Sequence, residues 1–340
     1  MTTGDSSHVP VQLRTLGRTA VELSLLGFGG TATGRLVPDF SEADATAILD
    51  AAWTRGMRYF DTSPFYGLGL SEHRMGAYLR HRPRDTFMLS TKVGRLLSPD
   101  RGLGPQRPES LPFEIRFDYS YSGTMRSVED SLQRLGLARI DLLLLHDISL
   151  RWHGDALEAR YAEAMTGAQR ALVDLRTQGV VRAIGVGVND VAVCSRCLVD
   201  GDFDFFMLAG RLTLLDHSGL PGLLDDCVAR GVGVLAAAPF NSGILATGAV
   251  PGARYFYAPA NAELLDRTRA IEAICGGHSI PLGAAALQFV LGHAAVTSVV
   301  PSFRSLAELA EVCAWMETPI PPALWQELHA AGLVQWAPAT

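Results

Sequence analysis

One stretch of the chain decides its fold, Arg58-Tyr59-Phe60-Asp61-Thr62-Ser63-Pro64-Phe65-Tyr66-Gly67. An apolar run ends in the carboxylate of Asp61, a turn follows, and Tyr66 comes five residues after the acid. A buried strand gains nothing from a charge at its tip unless that charge has a partner. The stretch therefore predicts a buried strand with chemistry at its end, where the phenol of Tyr66 faces a cavity.

Outward from this stretch, the same pattern of a short apolar strand followed by an amphipathic helix occurs in eight rounds. Strands that are apolar on both faces and alternate with helices indicate a parallel sheet. Eight such units without a break in composition favour a closed (β/α)8 barrel, an α/β fold of the TIM-barrel class, over two doubly wound domains. The predicted strands are 25–27, 59–61, 87–92, 140–146, 183–188, 205–209, 233–237 and 298–301.

Helices are predicted between these strands, and their ends carry the usual signals. Ser41 and Ser71 mark two helix starts, and glycines at 56, 136, 179 and 231 mark helix ends. A β-hairpin around residues 16–19 is expected to precede the barrel. The predicted helices lie near 42–55, 71–80, 122–135, 161–178, 191–199, 219–230, 262–275, 281–292 and 305–316.

Three connections exceed the usual ~4–6 residues. They are 93–118, 147–160 and 238–261, and all three follow strands. In a parallel barrel the loops that follow strands lie at its C-terminal mouth, where active sites occur. We therefore expect long loops around the mouth.

The composition limits the classes of function. The 340 residues are 48% apolar and 19% charged, with a net charge of −6, so a large core is expected. The sequence has no long Lys/Arg run of the kind that indicates a nucleic-acid surface. It also has no apolar run that approaches the ~18–20 residues of a membrane span. Residues 1–10 are polar and predicted to be disordered, 11–330 are predicted to form one domain, and a cytoplasmic location is expected.

The five cysteines are expected to be reduced thiols. Cys194 and Cys197 have the spacing of a redox motif, but they stand alone, with no second pair. We interpret them as ordinary helix-face cysteines and predict no metal site.

Four polar side chains occupy strand ends or the loops just beyond them. Asp61 ends the second strand, Tyr66 follows it, Lys92 ends the third and His146 ends the fourth. Because the strands run parallel, these side chains are expected to converge at one mouth. Taken singly, each residue could be structural; four at the same end of successive strands indicate a site.

The four residues predict a proton-transfer device. A phenol with a pKa near ~10 is a poor base at neutral pH, and a nearby ammonium favours its ionised form. We therefore expect Lys92 to tune Tyr66, Asp61 to hold Lys92, and His146 to orient a carbonyl or hydroxyl by a hydrogen bond.

Several motifs in order resemble those of the aldo-keto reductases. The matching segments are Tyr59-Phe60-Asp61-Thr62-Ser63, Tyr66-Gly67, Ser71-Glu72, Thr91-Lys92, Leu145-His146 and 185–189. The resemblance covers about residues 11–315. It implies a monomeric or weakly oligomeric barrel that binds a nicotinamide cofactor, with Tyr66 as general acid/base, Lys92 and Asp61 tuning it, and His146 polarising the substrate.

Four further runs are Tyr66-Gly67-Leu68-Gly69-Leu70-Ser71-Glu72, Lys92-Val93-Gly94-Arg95, Leu208-Ala209-Gly210-Arg211 and Phe240-Asn241-Ser242-Gly243-Ile244-Leu245. Within the family they look like the branch of L-fucose, D-threo-aldose and L-galactose dehydrogenases and pyridoxal 4-dehydrogenase. The resemblance implies oxidation of the C1 hydroxyl of an aldose to its lactone. Pyridoxal oxidation and aldehyde or ketone reduction remain alternatives. So does a non-catalytic subunit that senses a nicotinamide cofactor. A small-molecule carbinol or carbonyl is the expected partner.

The resemblance also implies where the cofactor binds. Positions that look like Ser302 and Glu308 carry Lys and Arg in members that prefer NADP, and a carboxylate repels a 2′-phosphate. We therefore favour NAD, while Arg304 keeps NADP open. The expected cofactor residues are Gly29, Gly30, Asp61, Asn189, Phe240, Asn241, Ser242, Gly243, Ser302, Arg304 and Glu308.

Gly27-Phe28-Gly29-Gly30-Thr31-Ala32 matches a G-x-G-x-x-A phosphate fingerprint, but no helix opens at once and no acid follows at the required distance. We interpret its glycines as the floor of the nicotinamide pocket instead. Aromatic and charged groups in the mouth loops are candidates for the substrate. Besides Tyr66 and His146 these are Arg95, Asp147, Trp152, Tyr255 and Phe240.

Overall fold

Eight parallel strands form the centre of the computed structural model, which describes residues 12–34, 40–100, 110–220 and 222–338. Their order in the sheet follows the chain, and isolated parallel bridges join the first strand region to the last, at Leu26–Val299 and Gly29–Ser302. The predicted (β/α)8 barrel is confirmed. The barrel strands are β3 (Phe28–Gly29), β4 (Tyr59–Asp61), β5 (Met88–Val93), β8 (Leu142–His146), β9 (Ala183–Val188), β10 (Phe205–Ala209), β11 (Gly233–Ala237) and β14 (Val296–Val300).

Helices surround the barrel, and two of them lie beyond its last strand. A π-helical turn at Ala164–Ala168 joins the helix Leu157–Glu163 to the helix Gln169–Thr177. The helices are α1 (Glu42–Thr54), α2 (Leu70–Leu79), α3 (Tyr121–Leu135), α4 (Leu150–His153), α5 (Leu157–Glu163), α6 (Gln169–Thr177), α7 (Val191–Asp200), α8 (Leu223–Arg230), α9 (Ile244–Thr247), α10 (Ala262–Gly277), α11 (Leu282–Leu291), α12 (Leu306–Glu317) and α13 (Pro322–Ala330).

Helix ends follow the predicted signals with one exception. Ser41 forms a capping box with Asp44 at the start of α1, and the four predicted glycines all have positive φ. The predicted start at Ser71 is wrong. Helix α2 begins at Leu70 after Gly69, without a side-chain cap, because the Ser71 hydroxyl is buried and donates to the Gly30 carbonyl at 2.8 Å.

Three hairpins decorate the barrel. The predicted N-terminal hairpin is present as β1 (Leu13–Thr15) and β2 (Glu22–Ser24). The other two were not predicted, since each lies inside a connection interpreted as a long loop. They are β6 (Arg95–Pro99) with β7 (Phe113–Phe117), and β12 (Arg254–Tyr255) with β13 (Ala258–Pro259).

The first barrel strand was placed too early. Residues 25–27 were predicted as that strand, but the ladder to β4 pairs Phe28 with Phe60 and Gly29 with Asp61. Leu25 and Gly27 instead exchange main-chain hydrogen bonds with Val299. The apolar run 25–29 therefore pairs first with the eighth barrel strand, through residues 25–27, and then with the second, through Phe28 and Gly29. Helix α13 lies beyond the last predicted helix, and residues 1–10 lie outside the described residues.

No single helix in the described ranges is long and apolar enough to cross a membrane. Helices α10 and α11 reach the length and hydropathy of a membrane span only when they are counted together, and the chain bends by 96° at their junction. Helix α11 is largely buried in the protein.

The N-terminal hairpin closes the bottom of the barrel. Leu16 and Leu23 are buried and pack with Tyr59, Leu142 and other residues inside the barrel. The hairpin tip is fixed by the Arg18 main-chain N–H, which donates to the Gly231 carbonyl at 2.7 Å. The hairpin therefore supplies part of the core.

Replacement of Leu16 with alanine is expected to lower the free energy of unfolding by about 2–5 kcal/mol, because the side chain is fully buried and its removal leaves a cavity. Urea denaturation measures the change. Leu13→Ala on the same hairpin is the control, since Leu13 is 49% exposed. Equal losses in the two variants would contradict a closing role for Leu16.

Candidate active site

Two strand ends hold a buried ion pair at the barrel mouth. The Lys92 Nζ donates to Asp61 Oδ2 at 2.6 Å and to the Thr62 carbonyl at 2.8 Å. The two side chains are 2% and 4% exposed. Because an unpaired charge at this depth is very costly, each residue stabilises the charge of the other.

The second oxygen of Asp61 is also bound. The Ser90 hydroxyl donates to Asp61 Oδ1 at 2.6 Å, and lies 2.9 Å from the Tyr59 hydroxyl. Burial opposes the charge of Lys92, but Asp61 and Tyr66 raise its pKa above the ordinary value. The ammonium is therefore charged at neutral pH, and its direction is set by the carboxylate.

The ammonium lies against Tyr66. Lys92 Nζ is 4.8 Å from the centroid of the Tyr66 ring. Burial raises the pKa of the phenol, while Lys92 lowers it and Asp61 raises it, and the net direction is upward. The sequence correctly predicted that Lys92 lowers the pKa of Tyr66. It missed that desolvation raises this pKa by more than Lys92 lowers it, so that the pKa lies above that of a free phenol.

His146 ends β8 beside this group. Its Nδ1 lies 3.1 Å from the Ser63 hydroxyl, whose oxygen accepts the Phe65 main-chain N–H. Because the Asp147 carboxylate lies 3.5 Å from Nε2 and favours a proton on that nitrogen, we assign the imidazole proton to Nε2 and the Ser63 proton to the bond with Nδ1. Burial, and then Arg95 and Lys92, hold the pKa of His146 well below its ordinary value. The ring is a neutral hydrogen-bond donor through Nε2.

The rings of Tyr66 and His146 are perpendicular, with their centroids 6.2 Å apart. The structure thus brings together the four predicted catalytic side chains, a phenol, an ammonium, a carboxylate and a neutral imidazole. This arrangement can hold the oxygen of a carbonyl or carbinol between a phenol and an imidazole N–H while a proton is exchanged with the phenol.

Glu72 holds strand β5, which carries Lys92, by a hydrogen bond to the neighbouring Thr91. This carboxylate is fully buried, accepts the Thr91 hydroxyl at 2.7 Å and accepts Arg134 Nε at 2.5 Å. Because Thr91 precedes Lys92 in β5, these bonds limit the movement of the ammonium.

A charged pair within an aromatic group borders the site. Arg95 Nη2 donates to Asp147 Oδ2 at 2.6 Å. The guanidinium carbon lies 4.2 Å from the ring centroid of Phe65 and 4.3 Å from that of Trp152. Arg95, Asp147 and Trp152, three of the predicted substrate residues, therefore lie together beside His146.

Two other substrate candidates, Tyr255 and Phe240, contact residues outside the group of Arg95, Asp147 and Trp152. The Tyr255 hydroxyl donates to Asp216 Oδ2 at 2.8 Å, and the Phe240 ring packs on Trp315 of α12 at 5.7 Å between centroids. Both side chains already have protein partners. Their substrate roles stay predictions.

The two glycines expected on the pocket floor are required by packing. A Cβ at Gly29 would lie 2.8 Å from the Pro301 carbonyl oxygen, and one at Gly30 would lie 2.7 Å from that of Asp61. Close approach of neighbouring strands therefore accounts for both residues. Their contact with a cofactor stays a prediction.

The loop after β11 has the features of a binding segment. Ala238, Asn241 and Ser242 have φ of 50°, 46° and 64°, a strained region for residues with side chains. The Asn241 amide donates to the Gly210 carbonyl at 3.1 Å, while its Oδ1 is buried and has no hydrogen-bond partner in the described part of the chain. Strain and an unpartnered buried acceptor in one loop fit a segment completed by a ligand. Nothing similar is seen at Asn189, whose carbonyl accepts Arg211 Nε at 3.0 Å.

At the start of α12, Glu308 is bonded to Arg304. Its carboxylate accepts the main-chain N–H of Arg304 at 2.8 Å and Arg304 Nε at 2.8 Å. Ser302 donates to the Gly29 carbonyl at 2.7 Å. The sequence treated Glu308 as a free carboxylate, whereas the structure pairs it with the cation that had kept NADP open.

Ser63 and Ser90 were missed as functional residues, although the sequence contained signals for both. Ser90 lies two residues before Lys92 in a strand, so the two side chains share a face. Ser63 lies inside the deciding stretch, but its partner His146 is 83 residues away. Cys194 and Cys197 are buried in α7, and burial raises the pKa of both thiols.

Fold and site together define an oxidoreductase that acts on CH–OH or carbonyl groups. The profile of the Aldo/keto reductase family matches residues 25–332. The chain belongs to the aldo/keto reductase family, whose enzymes use nicotinamide cofactors.

Similar proteins include two dehydrogenases. Pyridoxal 4-dehydrogenase of Microbacterium luteolum is 41% identical over 335 residues, which cover 94% of this chain and 97% of the relative. D-threo-aldose 1-dehydrogenase of a Pseudomonas species is 41% identical over 317 residues, with 91% and 94% covered. The solved holo form of an aldo-keto reductase from Bacillus halodurans is 24% identical, with a TM-score of 0.75 over 96% of this chain and 97% of that one; it supports the fold.

Proposed function

We propose that this enzyme oxidises the C1 hydroxyl of a cyclic aldose to the lactone, with NAD as hydride acceptor. The observation that carries the proposal is the group at the mouth, in which Lys92 Nζ lies 2.6 Å from Asp61 Oδ2 and 4.8 Å from the Tyr66 ring centroid. The similarity to D-threo-aldose 1-dehydrogenase, at 41% identity, supports an aldose as substrate.

The residues of the chain divide the work. The His146 Nε2–H donates to the substrate oxygen and positions it beside the phenol. In its ionised form Tyr66 takes the hydroxyl proton and becomes the neutral phenol, and the Lys92 ammonium stabilises the phenolate from which this transfer starts. Asp61 and Ser90 keep the ammonium aimed. A nicotinamide bound at the mouth supplies the acceptor for the hydride.

The cofactor is proposed to be held by the loop after β11 and the start of α12. Asn241, Ser242 and Gly243 supply polar groups in a strained loop, and Ser302 lies before the helix. Asn189, Phe240, Gly29, Gly30 and Asp61 complete the proposed set. The Glu308–Arg304 pair supports NAD, because it neutralises a cation that could otherwise bind a 2′-phosphate.

Glu308→Arg is expected to raise the ratio of kcat/KM for NADP to that for NAD by about 10- to 100-fold, because the change removes a carboxylate, frees Arg304 and adds a second cation. Steady-state assays with both cofactors measure the ratio. Glu311→Arg makes the same charge change at an exposed position of α12 and is the control. A ratio that moves equally in both variants would mean that Glu308 does not discriminate between the cofactors.

A substrate panel of aldoses and pyridoxal, read by NADH absorbance, tests the function. We expect aldoses to give the highest kcat/KM. Pyridoxal is the second candidate, because a relative named for it has the same 41% identity and because Phe65 and Trp152 offer aromatic surfaces beside the site. Reduction of aldehydes or ketones is measured in the same panel with NADH.

A subunit that only senses the cofactor is the candidate from another class. Tight NADH binding without turnover of any member of the panel would favour it and would reject the proposed aldose, pyridoxal and carbonyl activities. We also propose that residues 11–330 act as one domain, in a monomer or small homo-oligomer in the cytoplasm, with no nucleic-acid or membrane partner. Light scattering after size-exclusion chromatography measures the oligomeric state.

A further inference from the structure

Arg95 is an unusual cation for this depth. It is 1% exposed, and among the residues that the structure describes only its Nη2 has a hydrogen-bond partner, since Nε and Nη1 are buried without one. Its guanidinium is covered by the rings of Phe65, Trp152 and Phe117. Two unpartnered donors and a buried charge both cost stability. We therefore look for the reason for a buried guanidinium at Arg95 in its bond to Asp147.

It holds Asp147, which is also strained. Asp147 has φ of 54°, an uncommon conformation for a residue with a side chain. Its main-chain N–H donates to the Gly187 carbonyl at 3.0 Å, which fixes the backbone at the end of β8. A buried cation and a strained backbone converge on one carboxylate. Such features cluster at functional sites.

The carboxylate shares the space in front of His146. Asp147 Oδ2 lies 3.5 Å from His146 Nε2, and the Asp147 side chain is 15% exposed. This distance is too long for a good hydrogen bond, so Nε2–H stays available to a substrate oxygen. Oδ2 is bound to Arg95, whereas Oδ1 accepts no hydrogen bond from any residue that the structure describes.

We propose that Asp147 accepts a hydrogen bond from a second substrate hydroxyl, on the carbon next to the reacting one. Neighbouring gauche hydroxyl oxygens lie about one hydrogen-bond length apart. A substrate whose first oxygen binds His146 Nε2 therefore brings the second within reach of the carboxylate. The inference deepens the proposed function, since the C2 hydroxyl of an aldose is such a group.

Arg95 is then a positioning residue that acts through Asp147. Its low exposure and its aromatic cover keep it from the substrate. In this proposal Asp147 contacts the substrate, and Arg95, predicted from the sequence as a contact, instead holds the Asp147 carboxylate in place. Burial raises the pKa of Asp147 above its ordinary value, and Arg95 opposes that rise. The guanidinium therefore favours the ionised carboxylate, the stronger acceptor, against the effect of burial.

The test compares matched substrates with and without the second hydroxyl. One pair is an aldose and its 2-deoxy form, oxidised with NAD; the other is lactaldehyde and propanal, reduced with NADH. Wild-type enzyme is expected to prefer the hydroxylated member by about 10- to 100-fold in kcat/KM. Asp147→Asn is expected to reduce that preference to about 3-fold or less, mainly through KM.

Two further variants separate the roles. Asp155→Asn, at an exposed position of the same loop, is expected to keep the wild-type preference. Arg95→Lys is expected to keep part of it, since an ammonium can still bind the carboxylate, while Arg95→Met loses it. Calorimetric titration of the aldose pair measures the same preference without turnover.

The outcomes distinguish this inference from the proposed function. Wild-type enzyme that oxidises no aldose rejects the function, and the aldehyde pair and the titration still decide the role of Asp147. An aldose dehydrogenase without a preference for the second hydroxyl, or one whose preference survives Asp147→Asn, overturns the inference alone. Equal losses on both members of a pair also overturn it, since they would assign Asp147 to the orientation of His146.

Discussion

Tyr66→Phe is expected to lower kcat by about 10²- to 10⁴-fold, the usual contribution of a positioned general acid or base. The change removes one oxygen and leaves the ring, so the contacts with the Phe65 and His146 rings are retained. The KM for NAD and the affinity for NADH are therefore expected to change little. Stopped-flow or steady-state rates with the best aldose measure the loss, and NADH fluorescence measures the affinity.

The pH dependence gives a second readout of the same role. Burial raises the pKa of Tyr66 above its ordinary value, and oxidation needs the deprotonated phenol, so the wild-type oxidation rate is expected to rise with pH. The residual rate of Tyr66→Phe is expected to lack that rise. Tyr121→Phe is the control, since its hydroxyl bonds Asp174 on the outer helices. A variant at Tyr66 with normal turnover would remove the phenol from the mechanism.

The position of the site could be predicted because it depends on strand direction. Asp61, Lys92 and His146 end successive apolar strands, and parallel strands direct their ends to one edge. No knowledge of side-chain packing is needed for that step. The other strands of the barrel could be found because their apolar runs are short and each is followed by a helix, whereas the first strand was misplaced.

The energetics of the site could not be predicted in the same way. The net pKa shift of Tyr66 depends on how much water burial removes, and a sequence does not give the depth of a loop residue. The same applies to Arg95, which lies in a loop by sequence but is 1% exposed, because it begins the unpredicted hairpin of β6 and β7 and three aromatic rings cover its guanidinium.

Pairing between distant partners was also beyond the sequence. The Glu308–Arg304 pair is not of this kind, because the two residues are four positions apart and their spacing could have indicated the bond. The first strand was misplaced because residues 25–27 pair with Val299, some 270 positions away along the chain. The contacts with Val299 follow from barrel closure rather than from local pattern.

Lys92→Met is expected to have the second large effect, on both stability and turnover. The change leaves Asp61 buried without its partner, and loss of one member of a buried pair typically costs about 3–5 kcal/mol. It also removes the charge that stabilises the Tyr66 phenolate, so kcat is expected to fall by about 10²-fold or more. Thermal unfolding and steady-state kinetics measure the two losses.

The double variant Asp61→Asn/Lys92→Met separates those losses. Neither charge remains, so the buried carboxylate no longer lacks a partner, and most of the stability is expected to return. Turnover is expected to stay as low as in Lys92→Met, because the phenol still has no ammonium beside it. Recovery of stability without recovery of kcat assigns Lys92 to the chemistry. If kcat returned together with stability, the ion pair would serve only to hold the barrel together, and the ammonium would have no part in proton transfer.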